Sequence, residues 1–337
     1  MSRNLTIKDV ARLSGFSIRT VSRVINDEGY VKEETRSKIK KIINETGYET
    51  NIFAKNLRKK SVRNIILLIE REKEPHPGQY YSNMFQCAIN EARKYGFNAF
   101  MLQFDTENAK ENEKNIQILK SGFVDGAIVF SVKKSLEKIK LLKKLNIPFV
   151  AMAKNNEEGC PYVDVDHFNS AYIATEHLIK NGCKTLGLMI GDPELIAFDD
   201  RKQGFLKAVK DYNISEDNIK VYQNVEAFKH SYKICLEIGK EKIPEGLFVA
   251  SDEMAFGVLK AMSDLKISVP DEAMVVGFDN LPLSEYSVPA LTTMRQNAVE
   301  MSEEAVSILM KLIEKSEEDF NKQVLYAPEL IIRDTTK

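Results

Sequence analysis

The chain has 337 residues, 43% of them hydrophobic and 29% charged, with a formal net charge of −1. This length exceeds one comfortable core and the composition is ordinary for a globular protein, so a disordered or fibrous chain is excluded and two or more domains are expected. The near-zero charge hides a split: residues 1–60 hold 14 Lys+Arg against 7 Asp+Glu, and the remainder 34 against 42. A basic head on an acidic body directs any polyanion to the head alone. The opening MSRNLTIKDV has no apolar core of signal-peptide length, and no stretch approaches a membrane span, so a cytoplasmic protein is expected. Cys87, Cys160, Cys183 and Cys235 are scattered without a C-x-x-C pair or zinc spacing, which reads as reduced thiols.

The first element is a helix opened by Thr6-Ile7-Lys8-Asp9, a hydroxyl followed three residues later by a carboxylate, as in a capping box. Ile7, Val10 and Ala11 give it one apolar stripe, and Gly15 supplies the positive φ of a tight turn. Ser17 caps a second helix whose Val21, Val24 and Ile25 repeat the spacing, leaving Ile18, Arg19, Ser22 and Arg23 on the outer face. Two short helices joined this way, with a basic outer face, match a helix-turn-helix, whose second helix enters the DNA major groove at its start. A third helix over 31–46 turns Ile39, Ile42 and Ile43 inward and stops at Gly47. Gly47-Tyr48-Glu49-Thr50-Asn51 then leads into the short segment Asn51–Arg58.

From Asn64 onward short aliphatic runs alternate with amphipathic stretches. Strands are expected at Ile65–Ile69, Ala99–Phe104, Ala127–Phe130, Phe149–Met152, Thr185–Ile190, Leu247–Ala250 and Met274–Phe278. Helices are expected at Met84–Lys94, Glu111–Leu119, Ser170–Lys180, Arg201–Tyr212 and Met254–Leu265. This rhythm argues for parallel sheets covered by helices, which bind ligands beyond the carboxyl ends of their strands. It runs too long for one sheet, and Cys160-Pro161 is the best candidate for a break.

The order of motifs resembles the lac-repressor (LacI/GalR) family of bacterial transcription regulators along essentially the whole chain. The match includes I-x-D-V-A-x-x-S-G at the start, T-V-S-R-V-I-N in the second helix and G-Y-x-x-N…A-x-x-L in the segment after the third. In the body, Asp125-Gly126-Ala127-Ile128, Ile147-Pro148-Phe149-Val150, Arg201-Lys202-Gln203-Gly204-Phe205, Gly277-Phe278-Asp279-Asn280, Leu291–Gln296 and Glu329–Asp334 also fit. The resemblance implies a small all-α helix-turn-helix head (1–48), a hinge helix and linker (49–61), and an α/β body (62–337) of two parallel-sheet subdomains, like a periplasmic binding protein. The chain would cross between subdomains near 160, 290 and 325, giving one subdomain from 62–160 plus 292–324 and another from 161–291 plus 325–337.

It further implies that Thr6, Ser17, Ile18, Arg19, Thr20, Ser22, Arg23 and Asn26 contact operator DNA, with Asn51, Ala54, Lys55 and Leu57 acting from the hinge and Leu57 as a minor-groove wedge. A small effector, a sugar or sugar derivative, would sit in the cleft on Tyr81, Phe85, Arg201, Ser251, Asp252, Phe278 and Asp279. Guanidinium and carboxylate groups together supply the donors and acceptors that neighbouring hydroxyls require. Tyr80 and Phe198 are further candidates for an aromatic wall. Arg201 is read as beginning a helix, where the dipole disfavours a cation unless a ligand or acid compensates. The implied partners are a pseudo-palindromic operator, the effector and a second copy of the chain, with no cofactor, no metal and no membrane.

Four positions depart from the family pattern: Phe16 for a small turn residue, Thr50 for Pro before the hinge Asn, Ser251 for Asn, and Pro75-His76-Pro77-Gly78 in the first pocket loop. An enzyme reading finds no G-x-S-x-G elbow, P-loop, G-x-G-x-x-G or H-E-x-x-H beside His76, His167, His177 and His230. Asp164, Asp166 and His167 could be metal ligands, although alternating acids at a strand end more often cap turns. A free solute-binding protein would need an export signal and no DNA-reading head. The alternative left open is a regulator controlled by a phosphorylated partner protein instead of a free sugar.

Overall fold

The computed structural model describes residues 5–48, 61–70, 78–105, 110, 112–316 and 320–337, in two compact units divided at Val62–Arg63. The described residues of the first unit form three helices, α1 (Ile7–Ser14), α2 (Ile18–Asn26) and α3 (Glu33–Thr46). Val10, Ala11, Val21, Val24 and Ile39 form its core, with Phe16, Ile42 and Ile43 packed against it. Phe16 therefore fills the angle between the first two helices from within the turn. Gly15 takes φ 71° at the end of α1, a value that costs glycine little.

The second unit begins with β1 (Asn64–Glu70), α4 (Gly78–Lys94), β2 (Asn98–Phe104), α5 (Asn112–Lys120), β3 (Gly126–Val129), α6 (Glu137–Lys144), β4 (Phe149–Ala151) and β5 (Tyr162–Val165). It continues with α7 (His167–Lys180), β6 (Leu186–Met189), α8 (Ile196–Asp211), β7 (Ile219–Tyr222), α9 (Ala227–Ile238), β8 (Gly246–Val249), α10 (Asp252–Asp264), β9 (Met274–Asp279), α11 (Pro282–Tyr286) and β10 (Thr292–Arg295). It closes with α12 (Ala298–Glu314), β11 (Gln323–Tyr326) and β12 (Glu329–Ile331).

The strands form two six-stranded sheets, β11-β5-β4-β3-β1-β2 and β12-β10-β9-β8-β6-β7. Every pairing is parallel except β10 with β12. Helices cover both faces, which is why all seven residues of β1 are buried and its sequence runs apolar from Ile65 to Ile69 without alternation.

The sheet register places the three crossings between one and about five residues later than expected. Tyr162–Val165 pairs with β4 and with β11, so the chain leaves the first sheet after Val165 and not at Cys160-Pro161. Thr292–Arg295 pairs with β9, so residues 292–295 belong to the second subdomain and the return falls after Arg295. Leu325 and Tyr326 still pair with the first sheet, which moves the last crossing beyond Tyr326. The proline at 161 ends a loop without changing subdomain; only partners distant in sequence decide which sheet a short strand joins.

Candidate DNA-reading face and ligand cleft

Asp9 accepts both the Thr6 amide (3.0 Å) and the Thr6 hydroxyl (2.7 Å) at the start of α1. Ser17 accepts the Thr20 amide at 3.2 Å and meets the Thr20 hydroxyl at 2.9 Å, so both polar side chains at the head of α2 are committed to its cap. Ile18 is 41% exposed despite being apolar, and Arg19 and Arg23 are exposed beside it. Thr20 and Ser22 are half-buried. α2 therefore exposes an apolar and a cationic side chain at its start and a second cation in its last turn. Asn26 closes α2, but its side chain lies outside the described residues, as do Asn51, Ala54, Lys55 and Leu57.

In the body, Arg201 does not begin its helix. It is the sixth residue of α8 and is only 5% exposed, so its charge is compensated by tertiary partners and not by a position at the helix end. One terminal nitrogen donates to Ala250 O at 2.5 Å, and Nε and the other terminal nitrogen both reach His167 Nδ1 at 3.3 Å. The guanidinium lies 3.5 Å above the Phe278 ring centroid. His167 Nε2 is 3.1 Å from Asp164, whose other oxygen accepts the Lys154 amide at 2.7 Å.

Asp279 ends β9 with φ 127°, followed by Asn280 at φ 54°. Two consecutive non-glycine residues at positive φ are costly, and such strain gathers where function needs a fixed geometry. Arg333 holds this corner by donating to Asn280 Oδ1 and Leu291 O, both at 2.8 Å. Asp279 accepts Gln296 Nε2 at 2.6 Å, and Gln296 in turn accepts the Tyr80 hydroxyl at 2.9 Å.

The electrostatics show that these residues converge. Burial draws the Arg201 guanidinium below its ordinary value, while Asp279, then Tyr80, Tyr81 and Asp164, pull it back up. Burial pushes the Asp279 carboxyl well above the usual range and Asp252 adds to that, against Arg201 and the Gln296 bond. A cation from α8 and an acid from the end of β9 thus share one desolvated space with two tyrosines of α4.

Three sets of contacts join the subdomains around it. The first is Tyr80–Gln296–Asp279. In the second, Glu253 of α10 accepts the Gln79 amide at 2.8 Å, a carboxylate at the positive end of α4. In the third, Lys134 N donates to Glu194 O, Ile196 N donates to Val132 O, and Lys134 pairs with Asp199 at 3.1 Å.

The remaining expected ligand residues are placed differently. Asp252 is fully buried with both oxygens committed: one accepts Leu281 N (2.8 Å) and Ser284 Oγ (2.6 Å), the other Thr293 Oγ1 (2.6 Å). It braces the strand ends instead of presenting a carboxylate to a ligand. Ser251 caps α10 through the Met254 amide at 3.2 Å. Phe278 is fully buried as the platform under Arg201, and Phe85 packs edge-on against Phe130 in the first core. Tyr81 is half-buried, with its hydroxyl 3.2 Å from Ser131 Oγ.

A cavity of about 490 Å³ adjoins the cluster, lined by Lys134, Lys154, Asn156, Asp166, His167 and Asp200 among others and by none of the seven expected ligand residues. Asp166 caps α7 through the Asn169 amide at 3.0 Å, and no metal-holding group of acids, histidines and cysteines occurs among the described residues. Gln296 was missed by the sequence reading, and His167 was weighed there only as a metal ligand beside Asp164 and Asp166 and not as a partner of Arg201. Their only signals were proximity to Asp164-Val165-Asp166 and a place at the end of the Leu291–Gln296 motif.

Comparison with known proteins fits both units. Residues 6–51 match the model of bacterial regulatory proteins of the lacI family, and 175–336 match that of a periplasmic binding protein-like domain. The chain is 31% identical to the ribose operon repressor of Halalkalibacterium halodurans over 332 residues, covering 98% of this chain and 97% of that one. The chain belongs to the lacI family of bacterial regulatory proteins. It is a DNA-binding transcriptional regulator and not an enzyme. It is also 29% identical to the transcriptional repressor PurR of Actinobacillus pleuropneumoniae, across 97% of each chain. The fold is shared with a lac repressor dimer bound to operator and the anti-inducer ONPF, with TM-score 0.86, 21% identity and 99% of both chains covered. Among the described residues no helix is long and apolar enough to cross a membrane.

Proposed function

We propose that this chain is a cytoplasmic homodimeric repressor whose paired heads read a pseudo-palindromic operator, and whose cleft takes a small sugar or sugar derivative that sets operator affinity. The observation that carries the ligand half is the convergence of Arg201 and Asp279 in one desolvated space. A guanidinium and a carboxyl there, with hydroxyl-bearing tyrosines beside them, supply donors and acceptors for adjacent hydroxyls. D-ribose is the first candidate, because a relative 31% identical over nearly its whole length is a ribose operon repressor.

On the DNA side, Arg19 is the residue for direct base readout and Ile18 for an apolar contact, with Ser22 and Arg23 nearby. One head reads one half-site, so dimer symmetry calls for an inverted repeat. Asn51, Ala54, Lys55 and Leu57 are assigned to the hinge, with Leu57 as the wedge at the operator centre. The ligand acts by binding one arrangement of the two subdomains better than another, since equal affinity shifts nothing.

Selection of bound duplexes from a random library by the full-length protein tests this reading. The expected product is an inverted repeat whose retention changes when the cognate monosaccharide is added. An asymmetric single site retained by a monomer would contradict it.

A further inference from the structure

We propose that His167, fixed by Asp164, is the positioning residue of the ligand cleft. It sets the orientation of the Arg201 guanidinium so that one N–H on each terminal nitrogen is left for two neighbouring oxygens of a ligand. The inference rests on the reading of Arg201 as a ligand-sensing residue and adds the means by which its direction is fixed.

The geometry leaves one protonation pattern. A guanidinium carries five N–H donors and no acceptor, so Nδ1 of His167, 3.3 Å from both Nε and a terminal nitrogen of Arg201, must accept. Its proton therefore sits on Nε2, which donates to Asp164 at 3.1 Å. The carboxylate in turn is held by the Lys154 and Val165 amides at 2.7 and 2.9 Å. The His167–Asp164 contact is thus a hydrogen bond of a neutral ring and not an ion pair. A carboxylate behind an imidazole fixes its tautomer in just this way where the ring serves a metal, and here the ring serves a guanidinium.

Counting donors gives the ligand chemistry. Nε–H and one N–H of a terminal nitrogen go to His167, and one N–H of the other goes to Ala250 O. Two remain, one on each terminal nitrogen. That pair suits a vicinal diol or a carboxylate. The groups facing His167 are Asp164 on β5, Arg201 and Asp200 on α8, and the Phe278 ring on β9 at 5.5 Å between centroids. Phe278 also stacks under the guanidinium, so ring and imidazole confine it from two sides. All three polar members of the relay, Asp164, His167 and Arg201, are at most 5% exposed. His167 also lines the 490 Å³ cavity, which neither Arg201 nor Asp164 lines, so it is the member of the relay that reaches that space.

Nitrogen NMR of the histidine rings in the full-length protein at pH 7 reads the tautomer directly. Only four histidines are present, and His167→Gln identifies the signal. The expected result is a protonated Nε2 and an unprotonated Nδ1 that shifts toward a free imine nitrogen in Arg201→Met, or in Arg201→Lys should the first variant not fold. An imidazolium, a proton on Nδ1, or an Nδ1 signal unmoved by both replacements overturns the proposal.

Calorimetry with D-ribose adds the ligand readout. His167→Phe keeps the ring shape but lacks the acceptor and should weaken binding about tenfold or more, whereas His167→Gln, with one acceptor and one donor, should stay within about threefold. Equal affinity of His167→Phe and the wild type overturns the positioning role. Absence of ribose binding by the wild type counts against the choice of ligand in the functional reading, while the tautomer measurement still decides the relay.

Discussion

The head and the body use charge in opposite ways. Arg19 and Arg23 stand exposed on α2 and support nothing in the three-helix core, whereas Arg201, Asp279, Asp164 and Lys138 are all at most 7% exposed and are bonded into the fold. Reading a polyanion needs cations that water can reach until DNA displaces it. Sensing a small neutral molecule needs groups already stripped of water, because desolvation makes each hydrogen bond to the ligand count. The consequence is that function and stability separate in the head and are joined in the body.

Replacing Arg201 with Ala should break that joint most severely. It leaves His167 and Ala250 O without their donor and removes the nearby cation that offsets the burial of Asp279, at a cost of about 4 kcal/mol in urea unfolding together with loss of ligand binding. A variant that loses ligand but keeps wild-type stability would show that Arg201 is not part of the scaffold.

Lys138 tests the same coupling through pH. Its ammonium bonds Glu70 at 2.9 Å and Ser131 O at 2.8 Å, yet burial holds it down to about 8 from an ordinary 10.5. The folded state therefore disfavours the charged form. Stability relative to Lys138→Met should rise as pH climbs from about 8 to 10.5, by about 3 kcal/mol, and that gain should be lost as pH falls through 8. A pH-independent difference between the two proteins would contradict this.

In the head the expected effects fall on DNA alone. Arg19→Ala should remove about 2 kcal/mol of discrimination at one symmetric base pair while the melting temperature stays put. Uniform weakening across operator variants would make Arg19 a phosphate contact instead. Ser17→Ala is the exception that sharpens the contrast. It removes the cap of α2 and should cost the head about 1 kcal/mol of stability, with a secondary loss of affinity.

What could be read in advance follows the same division. The head is built from partners a few residues apart: Thr6 with Asp9, Ser17 with Thr20, and apolar residues three and four apart. Periodicity and cap chemistry therefore reach all of it. In the body the strand cores were legible because buried parallel strands run apolar, but subdomain membership was not. Tyr162–Val165 lies in the first sheet because Gln323–Tyr326, some 160 residues later, pairs with it. Arg201 was read one turn too close to its helix start because Ile196–Asp200 carry no apolar spacing and the helix has no side-chain cap. Asp252 looked like a ligand residue from its place after a strand, and only Ser284 and Thr293, 32 and 41 residues away, reveal its commitment. His167 and Arg201, 34 apart, form the pair that no local pattern announces.

A ligand sensed by the Arg201–Asp279 cluster must bind less well when the carboxyl is removed. Calorimetry of the full-length protein against monosaccharides beginning with D-ribose, repeated with Asp279→Asn, tests it most directly. The replacement keeps the size of the side chain and an acceptor for Gln296 but removes the carboxyl that shares the desolvated space with Arg201. One site per chain is expected in the wild type, with binding at least about tenfold weaker in the variant. Ligand binding of undiminished affinity in Asp279→Asn would contradict it.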